Sequence, residues 1–208
     1  MKILYATGNP AKFASMRRRL EPLGITLQSL NDMQQSGAEI PHVEESGNVP
    51  LENARIKAKA YYEAFHMPVF SCDSGLYFEG EAAKDEPGVH VRRVNGAELT
   101  DEQVRCRIID LVRKYGTITA YYKHAFCLIT DEGHVYEVMN ESTESQRFYL
   151  VESPHSGENK GFPIDSLSVD METGKYFYDL PKEAVDKLAV EEGVLGFFKS
   201  FVDFGHQD

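Results

Sequence analysis

Residues 2–12 read KILYATGNPAK, and this stretch predicts the fold class of the chain. An apolar run rich in strand formers ends at Gly8, Asn9 and Pro10, and residues 11–21 place their apolar side chains at helical spacing. A strand, a turn that contains glycine and a helix, in that order, are typical of the opening of an α/β unit. Residues 25–30 predict a second strand.

The rest of the chain continues this pattern with a β-rich middle and a helical end. The predicted elements are a loop over 36–50, a helix over 51–65, a strand from residue 69 that breaks at a turn over 73–75 and resumes over 76–78, a helix over 100–115 with a capping box of Thr100 and Gln103, strands over 118–130, 135–139 and 148–151, and a helix over 181–201. We therefore expect an α/β fold: an elongated mixed β-sheet flanked by helices, in two lobes with a central substrate cleft. Composition is even and no linker is visible, so 1–208 is predicted to be a single domain.

The composition argues against several classes of protein. The 208 residues contain 22 Lys and Arg against 33 Asp and Glu, a formal charge of −11, which disfavours nonspecific binding to nucleic acid. No apolar run is long enough for a membrane span, and the first residues do not resemble a signal peptide. Three cysteines are too few for a disulfide scaffold and favour a reducing compartment, so we expect a cytoplasmic protein with no membrane partner.

The first candidate site is the turn from Thr7 through Gly8 and Asn9 to Lys12. A glycine after a first strand lets backbone amides approach a phosphate, and the following helix N-terminus adds partial positive charge. Lys12 lies at the start of that helix and is able to reach the same anion. The alternative is an ordinary turn with a solvent-facing lysine.

The second candidate site combines Glu44 and Glu45 with Asn53 and Lys57. Adjacent carboxylates in a loop supply the oxygen ligands that Mg²⁺ prefers. Lys57 lies one helical turn after Asn53, so both are predicted to face a phosphate chain. The alternative is a solvated acidic loop followed by an amphipathic surface helix.

The third candidate site is Asp73, at the end of a buried strand. Burial of a charge requires a partner or a metal, so Asp73 fits a metal-bound carboxylate or a general base. The alternative is that Asp73 caps its own turn, with Ser74 and Gly75 as the turn residues.

Together the three sites resemble a known family. The motifs TGNxxK, EESG, ENAxxKA, PVxxxDSGL and PGV occur in this order over residues 1–93 with the spacing of the inosine triphosphate pyrophosphatase family. The resemblance implies an enzyme that cuts a nucleoside triphosphate, most often of a non-standard purine, between the α and β phosphates. It also implies Mg²⁺, a two-lobed α/β fold and a homodimer.

The resemblance further implies roles for individual residues. The implied catalytic residues are Asp73, Lys12 and Lys57; the implied metal ligands are Glu44, Glu45 and Asp73; the implied substrate contacts are Thr7, Gly8, Asn9, Lys12, Asn53, Lys57, Ser74, Gly75, Arg92, Phe162 and Asp165. Mg²⁺ and two lysines would neutralise the triphosphate, and Asp73 would orient and deprotonate the attacking water.

The chain departs from the family at several positions. Cys72 replaces the first of two acidic residues, and we interpret it as a small buried residue beside the working Asp73. In the base-recognition segment Phe162 and Asp165 remain, but Ile164 stands where the family has an aromatic residue that stacks on the base. The late Ser-His-Arg of the family is replaced by residues 190–193.

These departures leave two alternatives open. One is a catalytically impaired nucleotide-binding protein. The other is a phosphohydrolase of another small phosphorylated substrate, which would release phosphate rather than pyrophosphate. His124 is interpreted as an ordinary strand residue, and Cys106 and Cys127 as core residues.

Overall fold

A computed structural model describes residues 1–94, 96–130, 133–181, 184–185 and 191–204, without the side chains of 191, 192 and 200–204. The strands are β1 (Lys2–Tyr5), β2 (Thr26–Gln28), β3 (Val69–Phe78), β4 (Arg93–Val94), β5 (Ala97–Glu98), β6 (Ile118–Ile129), β7 (Val135–Val138), β8 (Phe148–Leu150) and β9 (Ser168–Asp170). The helices are α1 (Pro10–Leu20), α2 (Leu30–Gln35), α3 (Pro50–Phe65), α4 (Asp101–Tyr115) and α5 (Glu191–Phe204). None of these helices has the length and apolar character needed to cross a membrane.

Seven of the strands form one mixed sheet in the order β2-β1-β3-β6-β8-β9, with β7 also paired to β6. β1 pairs in parallel with β2 and with β3, whereas β6 pairs antiparallel with β7 and β8. β4 and β5 form a separate two-stranded ribbon. The predicted α/β class with a mixed sheet and flanking helices is therefore confirmed.

Two compact units divide the chain. The first unit comprises the described residues of 1–74, 124–143 and 191–208, and the second comprises those of 75–123 and 144–190. Each unit has its own apolar core. In the first unit, β1, β3 and α3 contribute Leu4, Val69, Ala54 and Ala58, all fully buried. In the second unit, one face of α4 with Val104 and Ile108 packs against Leu76 and Phe148.

Capping side chains fix the starts of α1 and α4, as their sequences indicate. Asn9 caps α1 by accepting hydrogen bonds from two backbone amides, and Pro10 occupies the first turn, where its missing N–H costs nothing. At α4 the predicted capping box is present, with Thr100 and Gln103 bonded reciprocally. The tail helix is observed as α5, while 182–183 and 186–190 of the predicted range lie outside the described residues.

The predicted turn over 73–75 is wrong, because β3 runs without a break through ten residues. Gly75 is required for a different reason. A Cβ at Gly75 would lie 2.8 Å from the ring of Tyr77 and 3.0 Å from the backbone of Gly88, which pairs with Leu76. The glycine therefore permits a close approach of two backbone segments and does not mark a chain reversal. Asp73 accordingly does not cap a turn of its own.

The cysteines gave one wrong prediction. Cys127 is buried in the first unit, as expected, but Cys106 is exposed. The apolar stripe of α4 consists of Val104, Ile108 and Val112, spaced four residues apart, and Cys106 lies off that stripe.

Replacement of Gly75 by alanine should destabilise the protein. The added methyl has no room beside Gly88 and Tyr77, and overpacking of this kind costs about 1–3 kcal/mol in the free energy of unfolding. Urea denaturation of Gly75→Ala measures the loss. Gly8→Ala is the matched control, because a Cβ at Gly8 would meet nothing within 4 Å; equal stability of the two variants would contradict the explanation.

Candidate functional site

A lysine held between two carboxylates is the centre of the candidate site in the first unit. Lys57 Nζ lies 3.0 Å from Glu45 Oε2 and 2.8 Å from Asp73 Oδ1. Glu45 comes from the loop before α3, Lys57 from α3 itself, and Asp73 from β3. The structure thus brings together three side chains that are separated by 12 and 16 residues in the chain.

Asn53 completes this cluster from one turn earlier on α3. Its Nδ2 donates to Asp73 Oδ2 at 3.3 Å, and its Oδ1 accepts from the Gly47 amide at 2.8 Å. Asn53 is buried, with 4% of its surface exposed. Asn53 thus fastens the loop of Glu45 to the strand of Asp73, and its contact with a phosphate stays a prediction.

Gly47 makes that fastening possible. A Cβ there would lie 2.6 Å from Glu52 Cβ and 2.7 Å from Asn53 Oδ1. The loop is therefore able to approach the start of α3 only because residue 47 is glycine. Glu52 holds the same segment from the other side by accepting the Asn48 amide at 2.7 Å.

The side chain of Lys57 is protonated at neutral pH. Burial acts to lower the pKa of Lys57, but the carboxylates of Asp73 and Glu45 outweigh it and raise the pKa above its usual value. The ammonium is therefore charged at neutral pH. One positive charge beside two negative charges leaves the cluster with a formal charge of −1, which favours binding of a divalent cation.

The donor chemistry of the cluster suits Mg²⁺. Glu45 and Asp73 supply hard oxygen atoms, and Mg²⁺ in proteins is commonly held by one or two carboxylates, with water and phosphate oxygens in the other positions. No set of three His, Cys, Asp or Glu side chains among the described residues is grouped to hold a metal alone. Glu44, the third predicted ligand, lies exposed in the loop.

The first strand–helix turn is arranged around Asn9. Its Oδ1 accepts from the amides of Ala11 and Lys12 at 2.9 and 3.2 Å, and its own amide donates to Thr7 Oγ1 at 3.2 Å. The sequence predicted that amides of this turn bind phosphate, but these two are already bonded to the cap. A phosphate contact with these two amides would compete with the cap, whereas the half-buried Lys12 supplies an ammonium at the same turn.

Cys72 and Ser74 alternate with Asp73 along β3 and point to the opposite face of the strand. Ser74 Oγ lies 2.7 Å from His124 Nδ1, and Cys72 is within hydrogen-bond reach of Ser74 and of Tyr5. Burial raises the pKa of the Cys72 thiol, so the sulfur is protonated at neutral pH and is a poor ligand for Mg²⁺. Its half-buried position agrees only in part with the expected small buried residue.

Arg92 anchors a loop in the second unit. It pairs with Asp101 at 2.7 Å and donates to the Gly161 carbonyl at 3.1 Å, while Asp101 also accepts the Gly161 amide at 2.8 Å. Arg105 fixes the same loop through Glu158, at 2.7 Å. The guanidinium predicted to contact substrate is thus engaged in holding the segment that precedes Phe162.

The segment 162–165 places its side chains in different surroundings. Ile164 is 3% exposed and belongs to the core of the second unit, so it does not take the place of a base-stacking aromatic. Phe162 is half-buried. Asp165 is also half-buried, and burial raises its pKa to about 7. The hydroxyls of Tyr122 and Tyr178 lie close enough to Asp165 for their pKa values to be raised by its charge, after the larger effect of burial.

Sequence reasoning missed two residues of these networks. His124 is interpreted from sequence as an ordinary strand residue, yet it forms a hydrogen bond with Ser74. Ser74 and His124 lie on different strands, β3 and β6, and nothing in the sequence indicates that these two residues meet. Asp101 was visible only as an acidic residue in the first turn of α4. Of the predicted 190–193 segment, residue 190 and the side chains of 191 and 192 lie outside the described residues.

Comparison with known proteins gives consistent results. The model of the Ham1 family matches residues 3–190. A dITP/XTP pyrophosphatase from Thermus thermophilus is 34% identical over 185 residues, covering 88% of this chain and 83% of that protein. A dITP/XTP pyrophosphatase from Exiguobacterium sp. is 33% identical over 169 residues, covering 81% of this chain and 80% of that protein. The solved structure of a HAM1 protein from Coxiella burnetii has a similar fold, with a TM-score of 0.74 at 19% identity over 98% of each chain.

Substitution of Asp165 by asparagine should stabilise the protein at pH 8. The pKa of Asp165 is about 7 in the folded protein, against 3.8 for an ordinary Asp, so between these values the folded state holds a proton that the unfolded chain releases. Wild-type stability therefore falls as pH rises from about 4 to 7, and the asparagine variant lacks this loss. We expect a gain of about 1–3 kcal/mol in the free energy of unfolding at pH 8.

Urea unfolding at pH 4, 6 and 8 measures this difference, which should vanish near pH 4. Asp110→Asn is the matched control, since Asp110 lies on the surface of α4 with its side chain 74% exposed. A gain from Asp165→Asn that is the same at all three pH values would contradict the assigned protonation.

Proposed function

Because the chain belongs to the Ham1 family, we propose that it is a nucleoside triphosphate pyrophosphohydrolase, which hydrolyses a nucleoside triphosphate to the monophosphate and pyrophosphate. The curated relatives named above are dITP/XTP pyrophosphatases, so the favoured substrates are non-standard purine nucleotides. The observation that supports the proposal most is the ammonium of Lys57 held between the carboxylates of Glu45 and Asp73.

The reaction requires that negative charge on the triphosphate be offset before water can approach the α-phosphorus. Lys57 is charged and close to Asp73, and Lys12 provides a second ammonium on α1. Each lysine stabilises charge that shifts toward the pyrophosphate leaving group. The cap made by Asn9 fixes the first turn of α1 and hence the position from which Lys12 extends.

Asp73 is the residue that orients and deprotonates the attacking water. Its two carboxylate oxygens accept from different donors, Oδ1 from Lys57 and Oδ2 from Asn53, which fixes the plane of the carboxylate. A fixed acceptor lowers the entropic cost of bringing water into line with the scissile bond. The water proton passes to the Asp73 oxygen as the new oxygen–phosphorus bond forms, and the bond from the α-phosphorus to the bridging oxygen breaks, so that this oxygen leaves with pyrophosphate.

Mg²⁺ is the cofactor that this donor set favours, with Glu45 and Asp73 as its protein ligands. When bound, it would offset phosphate charge and align the triphosphate. Glu44 remains a predicted third ligand from the same loop. The roles of Thr7, Gly8, Ser74 and Phe162 as substrate contacts are likewise part of the proposal.

Assembly and location are further parts of the proposal. The family resemblance of the motifs supports a homodimer, and the sparse cysteines support a reducing compartment such as the cytoplasm. Light scattering coupled to size-exclusion chromatography measures the mass of the assembly against the 23.5 kDa of one chain.

A nucleotide-binding protein without turnover is the second candidate. The observation in its favour is Cys72, whose protonated thiol replaces a family carboxylate beside Asp73. Pyrophosphate release distinguishes the candidates when it is measured with and without Mg²⁺ over ITP, XTP, dITP and the standard nucleotides. Pyrophosphate from ITP or XTP supports the proposed enzyme; binding without release supports the second candidate; release of phosphate alone indicates a different phosphohydrolase.

Asp73→Asn should lower kcat for pyrophosphate release by ~100-fold or more, because an amide cannot accept the water proton. The variant keeps an acceptor oxygen for one of its two hydrogen-bond donors, so nucleotide binding should persist. Asp110→Asn on the surface of α4 serves as the control. Turnover of Asp73→Asn within a few-fold of wild type would remove Asp73 from the mechanism.

Cys72→Asp tests which residue of the pair is the working carboxylate. Alternation along β3 directs residue 72 away from the face of Asp73, and the charge of Lys12 acts on its side chain. We expect the new carboxylate to offset Lys12 and raise KM for the nucleotide several-fold, with no change in the Mg²⁺ requirement. Cys106→Asp, at an exposed position, is the control. A higher kcat with a lower Mg²⁺ requirement would show instead that residue 72 is a metal ligand.

A further inference from the structure

A hydrogen bond joins Ser74 to His124 next to the proposed catalytic carboxylate. Ser74 Oγ and His124 Nδ1 are 2.7 Å apart, and both residues belong to the first unit. Ser74 follows Asp73 directly on β3, and His124 is on β6, the neighbouring strand.

The imidazole of His124 is neutral under ordinary conditions. Burial lowers the pKa of His124 to about 3, with smaller contributions from the charges of Lys12 and Arg19. A neutral imidazole has one N–H donor and one acceptor nitrogen. The bond to Ser74 therefore exists in one of two forms, with the proton either on Nδ1 or on the serine oxygen.

The two forms differ in what Ser74 can offer to a substrate. If the Ser74 hydroxyl donates its hydrogen bond to His124 Nδ1, Ser74 Oγ presents only lone pairs to a substrate, and these repel an anionic phosphate oxygen. If Nδ1–H donates to Ser74, the hydroxyl proton stays available for an anion. The thiol of Cys72 is also within hydrogen-bond reach of Ser74, but sulfur is a weak donor and a weak acceptor, so it competes poorly with an anionic oxygen for the serine proton. The sulfur of Cys72 also lies 3.8 Å from the carbonyl oxygen of Asp73, which accepts its weak S–H bond.

We propose that His124 is a positioning residue: it bears its proton on Nδ1, donates to Ser74 Oγ, and so directs the Ser74 hydroxyl proton toward an anionic oxygen of the triphosphate. The inference rests on the proposed function for the identity of that anion. The tautomer itself is a property of the free protein and is measured without substrate. His124 thus acts through Ser74 and does not itself touch the substrate.

The tautomer is measured by two-bond ¹H–¹⁵N correlation of the imidazole rings in ¹⁵N-labelled wild-type protein at pH 7. The seven histidines are distinguished by the signals that disappear in His124→Asn. A protonated Nδ1 and an unprotonated Nε2 support the proposal. The reverse pattern, or a doubly protonated ring, overturns it, whatever the enzyme assay shows.

A double-mutant cycle tests whether His124 acts on the substrate through Ser74, with pyrophosphate release from ITP as the readout. His124→Phe, which keeps the ring shape without a donor, should raise KM about tenfold in the presence of Ser74 and change it little in Ser74→Ala. His124→Asn, which restores an amide donor near the Nδ1 position, should recover KM to within about threefold of wild type. Effects of His124→Phe that simply add to those of Ser74→Ala overturn the proposal.

Controls separate a positioning role from damage to the fold. His66→Asn changes an exposed histidine at a backbone φ of +49°, which asparagine tolerates, and should leave KM unchanged. If His124→Phe does not fold, His124→Gln, whose amide reaches the Nε2 position and not the Nδ1 position, takes its place in the same cycle with Ser74→Ala. If wild type releases no pyrophosphate from any nucleotide, the proposed function fails, and titration of the same variants with ITP by calorimetry decides the role of His124 from binding alone.

Discussion

The ion pairs of Lys57 are the contacts on which the first unit's site depends. Asp73 is a buried carboxylate, and burial of an uncompensated charge is costly enough that such groups are found with partners. Lys57 compensates Asp73 and at the same time attracts Glu45 from a separate loop. One ammonium therefore joins a strand, a helix and a loop. Because it offsets only part of the two negative charges, it leaves the cluster suited to a divalent cation.

The neutral groups around this cluster set its geometry. Asn53 joins the Gly47 amide to the Asp73 carboxylate, and it lies one helical turn from Lys57, so a single face of α3 presents both partners of Asp73. The absence of a side chain at Gly47 lets the loop come close enough for this contact. The motif ENAxxKA resembles a set of substrate contacts in sequence. In the structure its Asn53 holds the carboxylate of Asp73 at a fixed angle.

The parts that could be predicted from sequence are those governed by local chemistry. The helix that follows the first glycine turn follows from helical spacing, and the capping box of Thr100 and Gln103 follows from the hydrogen-bonding groups of these two residues. The structure contains both features. The unbroken course of β3 could not be predicted, because Asp73 through Gly75 have turn propensity and the reason for Gly75 lies thirteen residues away at Gly88. The contact of Ser74 with His124 spans 50 residues and depends on strand register. Long-range register of this kind is fixed by packing, which a single sequence does not show.

The two faces of β3 explain how the chain accommodates a thiol at position 72, where the family resemblance implies a carboxylate. Asp73 lies on the face that α3 covers, where Lys57 balances it. Cys72 and Ser74 lie on the other face, where Tyr5 and His124 are neutral and the charge of Lys12 also acts. A carboxylate on that face would partly cancel Lys12, whereas a protonated thiol leaves the positive field intact for an incoming phosphate. Residue 72 therefore adds no negative charge on the face where Lys12 acts, while the balanced pair of Asp73 and Lys57 is preserved, so a thiol at this position is physically compatible with the proposed binding of a phosphate.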